Sequence, residues 1–163
     1  MIKNKKISDE AEFKTLSSCP LFQGLSKSEQ KTVFDISQVR DYSADEKIFS
    51  EGTVGLCFYI IVKGSVEIIS ESPGSETASH KILRVYNEGG YFSEAHLFAE
   101  ISHTVSCIAK DVTRLMIFTK PDFEDLIRIK PKIGNKLLLN FLQFMSTQLE
   151  ILYKENRELA GKS

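Results

Sequence analysis

The spacing of apolar residues changes twice along this chain of 163 residues. From about residue 39 to residue 118, short apolar runs rich in Val, Ile, Tyr and Phe alternate with clusters of Gly, Asp, Asn and Ser. Such runs at short intervals leave no room for crossover helices, so they predict an all-β sandwich or barrel. The predicted strands are Lys47–Phe49, Cys57–Val62, Ser65–Ser70, Lys81–Tyr86, Val105–Ala109 and Arg114–Phe118.

Two connections between these strands have a recognisable pattern. Lys63 and Gly64 separate two strong strands and predict a tight hairpin turn. Residues 71–79, with the sequence ESPGSETAS, have no periodicity and predict a solvent-exposed loop of variable conformation.

Helical spacing flanks the β region on both sides. Upstream, apolar residues interrupted by Pro20 and Gly24 predict a short helix, a turn and a second helix. The second helix begins after Ser26, which forms a capping box with Glu29 and should be followed by helix to near residue 37. Downstream, Pro121 suits the first turn of a further helix.

The last predicted helix begins at Pro131 and runs to about Leu159. At a rise of about 1.5 Å per residue, it would be roughly 40 Å long. Its apolar residues occupy more than one face, so a small β domain cannot cover them all. The same helix of a second copy is the simplest partner, which predicts a homodimer. The alternative is a helix with one end in the core and a frayed other end.

Composition and charge exclude several classes of protein. Hydrophobic residues make up 42% of the chain, which is enough for a buried core. With 21 basic and 22 acidic side chains, the formal net charge of −1 argues against direct nucleic-acid binding. No apolar run approaches the roughly 18 residues of a membrane span, and no signal peptide follows the N-terminus. Cys19, Cys57 and Cys107 lack zinc-ligand spacing and are interpreted as reduced thiols, which favours the cytoplasm.

The sequence contains no motif of an enzyme. A glycine-rich phosphate loop, a nucleophile elbow and a Ser/His/Asp arrangement are all missing. The three histidines, His80, His96 and His103, lack compact metal spacing. Glu94 and His96 alternate as they would on one face of a strand, but a third ligand at motif spacing is missing. We therefore expect neither catalytic residues nor a metal.

The order of these elements, together with three motifs, resembles the cyclic nucleotide-binding domain family from about Leu21 onward. The first motif, ahead of a helix, consists of Leu21, Phe22, Gly24, Leu25 and Ser26. The second is DEKIFSEGTVGLCFYIIVKGSVEII, where Gly52 and Gly64 match the turn glycines but Leu56 replaces a family acid. The third, EGGYFSEAHLFAEISHTVSCIAKDVTRLMIF, resembles the ligand-binding cassette and the strands after it.

This resemblance implies a mainly β fold with flanking helices. The β part would be a double-stranded β-helix, that is, a jelly-roll or cupin-like β-roll. Residues 1–9 would form a disordered or frayed tail, residues 10–130 the β-roll with its N-terminal helices, and residues 131–163 a dimerisation and hinge helix. The domain would be a non-enzymatic regulatory module of signal transduction, as in cyclic AMP receptor protein and protein kinase regulatory subunits. Its ligand would be cAMP or cGMP.

The family cassette resembles Phe-Gly-Glu-(Leu)-Ala-Leu-Leu followed by Pro-Arg-Ala-Ala-Thr. Its glycine lets the backbone approach the cyclic phosphate, its glutamate accepts the ribose 2′-hydroxyl, and its arginine binds the phosphate. Phe92 and Glu94 match this pattern, whereas Ser93 replaces the glycine and His103 replaces the arginine. The candidate ligand-binding residues are Phe92, Ser93, Glu94, Ala95, His103, Thr104, Thr147 and Gln148.

The missing arginine predicts weak or altered binding of cAMP and cGMP. A charge-assisted hydrogen bond contributes about 1.5–3 kcal/mol, so its loss lowers affinity roughly 10- to 150-fold. His103 is interpreted as a substitute phosphate ligand, a pH-responsive switch or a surface histidine at a strand edge. Glu94 is either the ribose acceptor or a partner of nearby backbone donors. Thr147 and Gln148 either contact the purine, as the resemblance implies, or fix the register of the long helix.

Two functions remain open for such a domain. It is a sensor whose ligand reorients the long helix, or a ligand-free scaffold for dimerisation or protein docking. Regulators of this type carry a DNA-binding module after the long helix. Because the chain stops at Ser163, we expect either a truncated chain or a protein that does not contact DNA.

Overall fold

The computed structural model describes residues 10–71 and 80–161, except the side chain of Glu71. The predicted tail 1–9 and residues 72–79 of the predicted loop lie outside the described residues. The helices are α1 (Glu10–Ser18), α2 (Lys27–Asp35), α3 (Lys120–Ile129) and α4 (Pro131–Ala160), with 3₁₀ helices at Pro20–Phe22 and Glu94–Leu97. The strands are β1 (Gln38–Tyr42), β2 (Lys47–Phe49), β3 (Cys57–Lys63), β4 (Ser65–Glu71), β5 (His80–Asn87), β6 (Tyr91–Phe92), β7 (Ser106–Ala109) and β8 (Thr113–Thr119).

The strands form two antiparallel sheets of four strands each. One sheet has the order β1-β8-β3-β6 and the other the order β2-β7-β4-β5. The predicted fold class, a β-roll with flanking helices and a long C-terminal helix, is therefore confirmed. All six predicted strands are present, whereas β1 and the two-residue β6 were not among them.

The predicted hairpin at Lys63 and Gly64 is wrong. β3 pairs with β6 and β8, whereas β4 pairs with β5 and β7, so the chain passes from one sheet to the other at this point. Gly64 has φ +86°, and a Cβ there would lie 2.6 Å from Oδ1 of Asp111. A residue without a side chain is therefore required at this corner.

Strand β3 is buried on both faces, which explains its unbroken apolar run. Phe58, Ile60 and Val62 pack in a core cluster that includes the helices. Tyr59 and Ile61 belong to a second cluster, which contains residues of both sheets. Successive side chains of a strand point to opposite faces, so alternate residues serve the two clusters.

The helices cover one face of the β1-β8-β3-β6 sheet. The predicted capping box is confirmed: Oγ of Ser26 accepts from the N–H of Glu29, whose carboxylate accepts from the N–H of Ser26. The first half of α4 is held to the N-terminal segment, because Lys136 binds the Glu29 carboxylate and Nδ2 of Asn140 donates to two backbone carbonyls.

The second half of α4 leaves the body of the protein. The buried residues of this helix, Ile133, Gly134, Leu137 and Phe141, all lie in its first half. Every residue from 151 to 160 is exposed. Leu149, Leu152 and Leu159 retain 50%, 54% and 66% of their accessible surface, so α4 presents apolar side chains that this chain does not cover.

Candidate functional site

Six of the eight predicted site residues surround one cavity of about 220 Å³. The cavity is lined by Phe49, Ile68, Tyr86, Phe92, Ser93, Glu94, Ala95, His96, His103, Thr104 and Val105. Phe49, Ile68, Tyr86 and Phe92 come from four different strands, and the cassette residues around the second 3₁₀ helix close one side. Thr147 and Gln148 do not line the cavity; Thr147 lies on α4 and donates to the carbonyl of Gln143 at 3.0 Å.

Ser93 has the backbone conformation that the family glycine adopts without strain. Its φ of 68° and ψ of 25° lie in the left-handed region, which costs a residue with a Cβ about 1–2 kcal/mol. Oγ of Ser93 lies 2.9 Å from Nδ1 of His96, so the serine side chain also has a partner inside the cassette. Ser93, which replaces the glycine of the cassette pattern, thus has a left-handed backbone that a glycine would adopt at lower cost.

Glu94 is a half-buried carboxyl group in the wall of the cavity. Burial raises the pKa of Glu94, while its own backbone N–H and Arg84 act in the opposite direction. Its hydrogen-bonding capacity suits a ligand hydroxyl, which would donate to it. The carboxyl group stands where the cassette pattern places the ribose acceptor.

His103 is buried, and its interpretation as a surface histidine is wrong. Only 6% of its surface is accessible, and its ring stacks on that of Phe49 with centroids 3.8 Å apart and an angle of 8° between planes. The backbone explains this direction: His103 N–H donates to the carbonyl of Thr53, and Gly52 N–H donates to the carbonyl of His103. This pairing fixes the segment beside the β2–β3 connection and turns the imidazole into the cavity.

Burial also sets the charge of His103. The pKa of His103 falls to about 4, mainly because burial disfavours the charged form and secondarily because His96 is adjacent. The ring centroids of His96 and His103 are 4.2 Å apart. At neutral pH the position of the family arginine therefore holds an uncharged ring.

His96 was missed as a site residue. The predicted alternation of Glu94 and His96 on a strand face is wrong, because both lie on the 3₁₀ helix Glu94–Leu97. The ring packs on Gly55, where an added Cβ would lie 2.0 Å from Cδ2 of His96. Burial lowers the pKa of His96, and its Nε2 is buried without a hydrogen-bond partner in the described part of the chain. The sequence signal that could have identified His96 is its position within the cassette, two residues after Glu94.

Arg84 and Arg114, which lie on the strands before and after the cassette, have different partners. Arg84 lies on β5 opposite Ile68, and its Nη1 donates at 3.2 Å to Oη of Tyr86, a residue that lines the cavity. Arg114 instead forms a bidentate ion pair with Asp41, in which its Nε and Nη2 lie 2.7 and 2.9 Å from the two carboxylate oxygens. No Lys or Arg occurs among the described residues that line the cavity.

The described ranges, 10–71 and 80–161, contain no group of three or more His, Cys, Asp or Glu residues placed to hold a metal ion. None of the helices in those ranges combines the length and apolar character needed to cross a membrane. Cys19 and Cys107 are buried free thiols and Cys57 is a half-buried one.

Comparison with known proteins gives the site a context. The chain is 36% identical over 109 residues to the cAMP-dependent protein kinase regulatory subunit of Mycosarcoma maydis, covering 65% of this chain and 20% of that protein. It is 27% identical over 122 residues to the cyclic AMP receptor protein of Thermus thermophilus, covering 75% and 55%. The chain thus spans less than two thirds of either relative.

Structural similarity extends over more of the chain. A crystal structure of a cyclic nucleotide-binding domain from Methylobacillus flagellatus superposes with a TM-score of 0.73 at 21% identity, covering 90% of this chain and 80% of that one. The family model described as cyclic nucleotide-binding domain matches residues 39–130, more than half of the chain. Its members are regulatory ligand-binding domains. The chain belongs to the cyclic nucleotide-binding domain family.

Proposed function

We propose that this domain is a cyclic-nucleotide sensor with low affinity for cAMP and cGMP. The observation that carries the proposal is the cavity of about 220 Å³, around which the cassette residues Ser93, Glu94 and His103 converge. Glu94 accepts the ribose hydroxyl, and the backbone at Ser93 and Ala95 lies beside the phosphate. His103 takes the place of the arginine.

The low affinity follows from the missing positive charge at His103, the position of the family arginine. A buried neutral imidazole replaces a permanent guanidinium cation, and roughly 10- to 150-fold in affinity is lost with it. We expect a dissociation constant for cAMP above about 10 µM. Two relatives, a kinase regulatory subunit and a cyclic AMP receptor protein, support a regulatory role. We place this role in the cytoplasm, where the three cysteines would stay reduced.

The test is isothermal titration calorimetry of the wild type and the double variant Ser93→Gly/His103→Arg with cAMP and cGMP. Non-cyclic AMP is the control ligand. The double variant should bind roughly 10- to 150-fold more tightly than the wild type, and Glu94→Ala should remove binding from both. Absence of binding in both proteins would overturn the sensor and favour the ligand-free scaffold.

We further propose that α4 pairs two copies of the domain. A seam of residues at alternating intervals of four and three consists of Leu138, Leu142, Met145, Leu149, Leu152, Asn156 and Leu159. These are the a and d positions of a coiled coil. Asn156 takes an a position, where a polar residue favours a parallel pair in register. In this register Gln148 takes a g position, which flanks the seam and in a dimer lies beside the partner helix, whereas Thr147 takes the outward-facing f position.

Light scattering after size-exclusion chromatography tests the pairing. Leu149→Asp should convert the dimer to a monomer, because it buries a carboxylate in the seam. Ile151→Asp is the matched control, since Ile151 is also an exposed apolar residue of α4 but lies outside the seam. A monomeric wild type, or equal effects of both substitutions, would contradict pairing through this seam.

A further inference from the structure

The cavity contains no permanent positive charge among its described lining residues, yet its proposed ligand is an anion. The phosphate of a cyclic nucleotide is a diester that keeps one negative charge throughout the physiological pH range. A charge transferred from water into a protein interior needs a partner of opposite charge. The lining residues that can become cations are His96 and His103.

We propose that an anionic ligand binds this cavity together with one proton, which the pair His96 and His103 takes up. This inference rests on the proposed function and adds a regulation to it: the site responds to the cyclic phosphate and to pH at once. A drop in pH then raises ligand occupancy at a constant nucleotide concentration.

The geometry supports uptake of a single proton. The two imidazole rings lie 4.2 Å apart, so a charge on one opposes a charge on the other. His103 also stacks on Phe49 at 3.8 Å, and an aromatic face attracts a cation. Nε2 of His96 is buried without a hydrogen-bond partner in the described residues, so this pair does not have its hydrogen bonds completed by the protein.

Other charged or titratable groups lie in the cavity wall or in the segments next to it. Glu94 is on the same 3₁₀ helix as His96, and its carboxylate would attract a proton to the imidazoles but repel the phosphate. Tyr86 lines the cavity from β5, and Nη1 of Arg84 donates to its Oη. Glu51 lies in the β2–β3 connection, and its N–H donates to Oγ of Ser106. Glu94 and Arg84 are therefore the two rival explanations of any electrostatic effect on binding.

The test is calorimetric titration with cAMP from about pH 5.5 to about pH 7.5, where histidine is the residue that ordinarily titrates. The dissociation constant of the wild type should rise with pH, by up to about tenfold per pH unit. At a fixed pH near 6.5, buffers of different ionisation enthalpy should show uptake of about one proton.

Five variants assign the proton. His103→Gln should flatten the pH dependence, and His103→Arg should flatten it while tightening binding. His80→Gln is the matched control, because His80 is exposed on β5 outside the cavity and the variant should keep the full pH dependence. Glu94→Gln should weaken binding but retain the slope. Arg84→Gln should also retain the slope.

The outcomes separate this inference from the proposed function. Wild-type binding that is independent of pH, or a slope lost in Glu94→Gln but kept in His103→Gln, would overturn proton uptake and leave the sensor intact. A wild type that binds at no pH, although Ser93→Gly/His103→Arg binds, would also overturn it. If neither protein binds at any pH, the sensor itself fails.

Discussion

Two clusters of polar side chains in this fold, each with at least one buried member, differ in their hydrogen bonding. The first is the corner cluster of Ser65, Asp111 and Thr113, where the chain passes between the sheets. Oγ1 of the fully buried Thr113 donates to the carbonyl of Ser65 at 2.9 Å and accepts from its N–H at 3.2 Å. The Asp111 carboxylate accepts from both the N–H and the hydroxyl of Ser65.

The second cluster is the pair of cavity histidines, His96 and His103. The ring of His103 stacks face to face on Phe49 and lies against the tilted ring of His96. Nε2 of His96 is buried without a hydrogen-bond partner in the described part of the protein. In that part, no buried side-chain N or O atom of the corner cluster lacks a partner. Buried polar groups in native structures are almost always hydrogen-bonded, so an exception inside a cavity indicates a role in binding. The comparison separates a cluster whose hydrogen bonds are completed by the protein from one that, in our proposal, a ligand completes.

The largest expected effect concerns the cavity histidines and pH. The pKa of His103 is about 4 in the folded protein and 6.5 without burial, so the unfolded chain binds more protons between these values. The stability that neutral His103 contributes is fully present above pH 6.5 and is lost as the pH falls towards 4. Its full loss corresponds to about 3 kcal/mol in the free energy of unfolding.

Urea unfolding at several pH values measures this effect. The free energy of unfolding of the wild type should fall more steeply on acidification than that of His103→Gln, in which this titration is absent. His80→Gln should follow the wild type. Parallel curves for the wild type and His103→Gln would show that the cavity holds no destabilising imidazole and would remove the contrast with the corner cluster.

A smaller effect is expected at the corner cluster. Thr113→Val keeps the shape of the side chain but removes its hydrogen bond to the carbonyl of Ser65, which still accepts from the N–H of Lys110, at a cost of about 1 kcal/mol in the free energy of unfolding. Nucleotide affinity should not change. Thr32→Val is the matched control: its hydroxyl donates to a backbone carbonyl on the exposed face of α2, and the change should stay within about 0.5 kcal/mol. A larger effect on binding than on stability would place the corner cluster in the site.

The sequence predicted the strands well where both faces of a strand are buried or where alternation is regular. The unbroken apolar run from Cys57 to Val62 is typical of a strand that is buried on both faces. In contrast, β6 contains two residues, too few for a periodicity. The error at Gly64 has a different cause. A turn residue shows that the chain changes direction, but the sheet that it enters next depends on pairing with β7, about forty residues away.

The candidate site was predicted from a local motif, and its errors concern contacts from distant segments. Six cassette residues were found because they are close in sequence. Phe49 and Tyr86 were not, since they reach the cavity from β2 and β5. The direction of His103 depends on its backbone pairing with Thr53, fifty residues earlier, which no local pattern contains.

The smallest effect on stability is expected at Ser93, where two terms oppose each other. Ser93→Gly relieves a left-handed backbone that costs about 1–2 kcal/mol and loses the contact of Oγ with Nδ1 of His96, worth about 1 kcal/mol. The net change should stay within about 1 kcal/mol. Asp45, the other described non-glycine residue with positive φ, at 64°, is the control, because it is exposed and outside the cavity. Both variants are compared by urea unfolding and by titration with cAMP.

Asp45→Gly should leave cAMP binding unchanged, whereas Ser93→Gly should tighten it, since the phosphate can then approach the backbone more closely. Equal affinities in the two variants would mean that the serine side chain does not obstruct the ligand, and the low affinity would then rest on His103 alone.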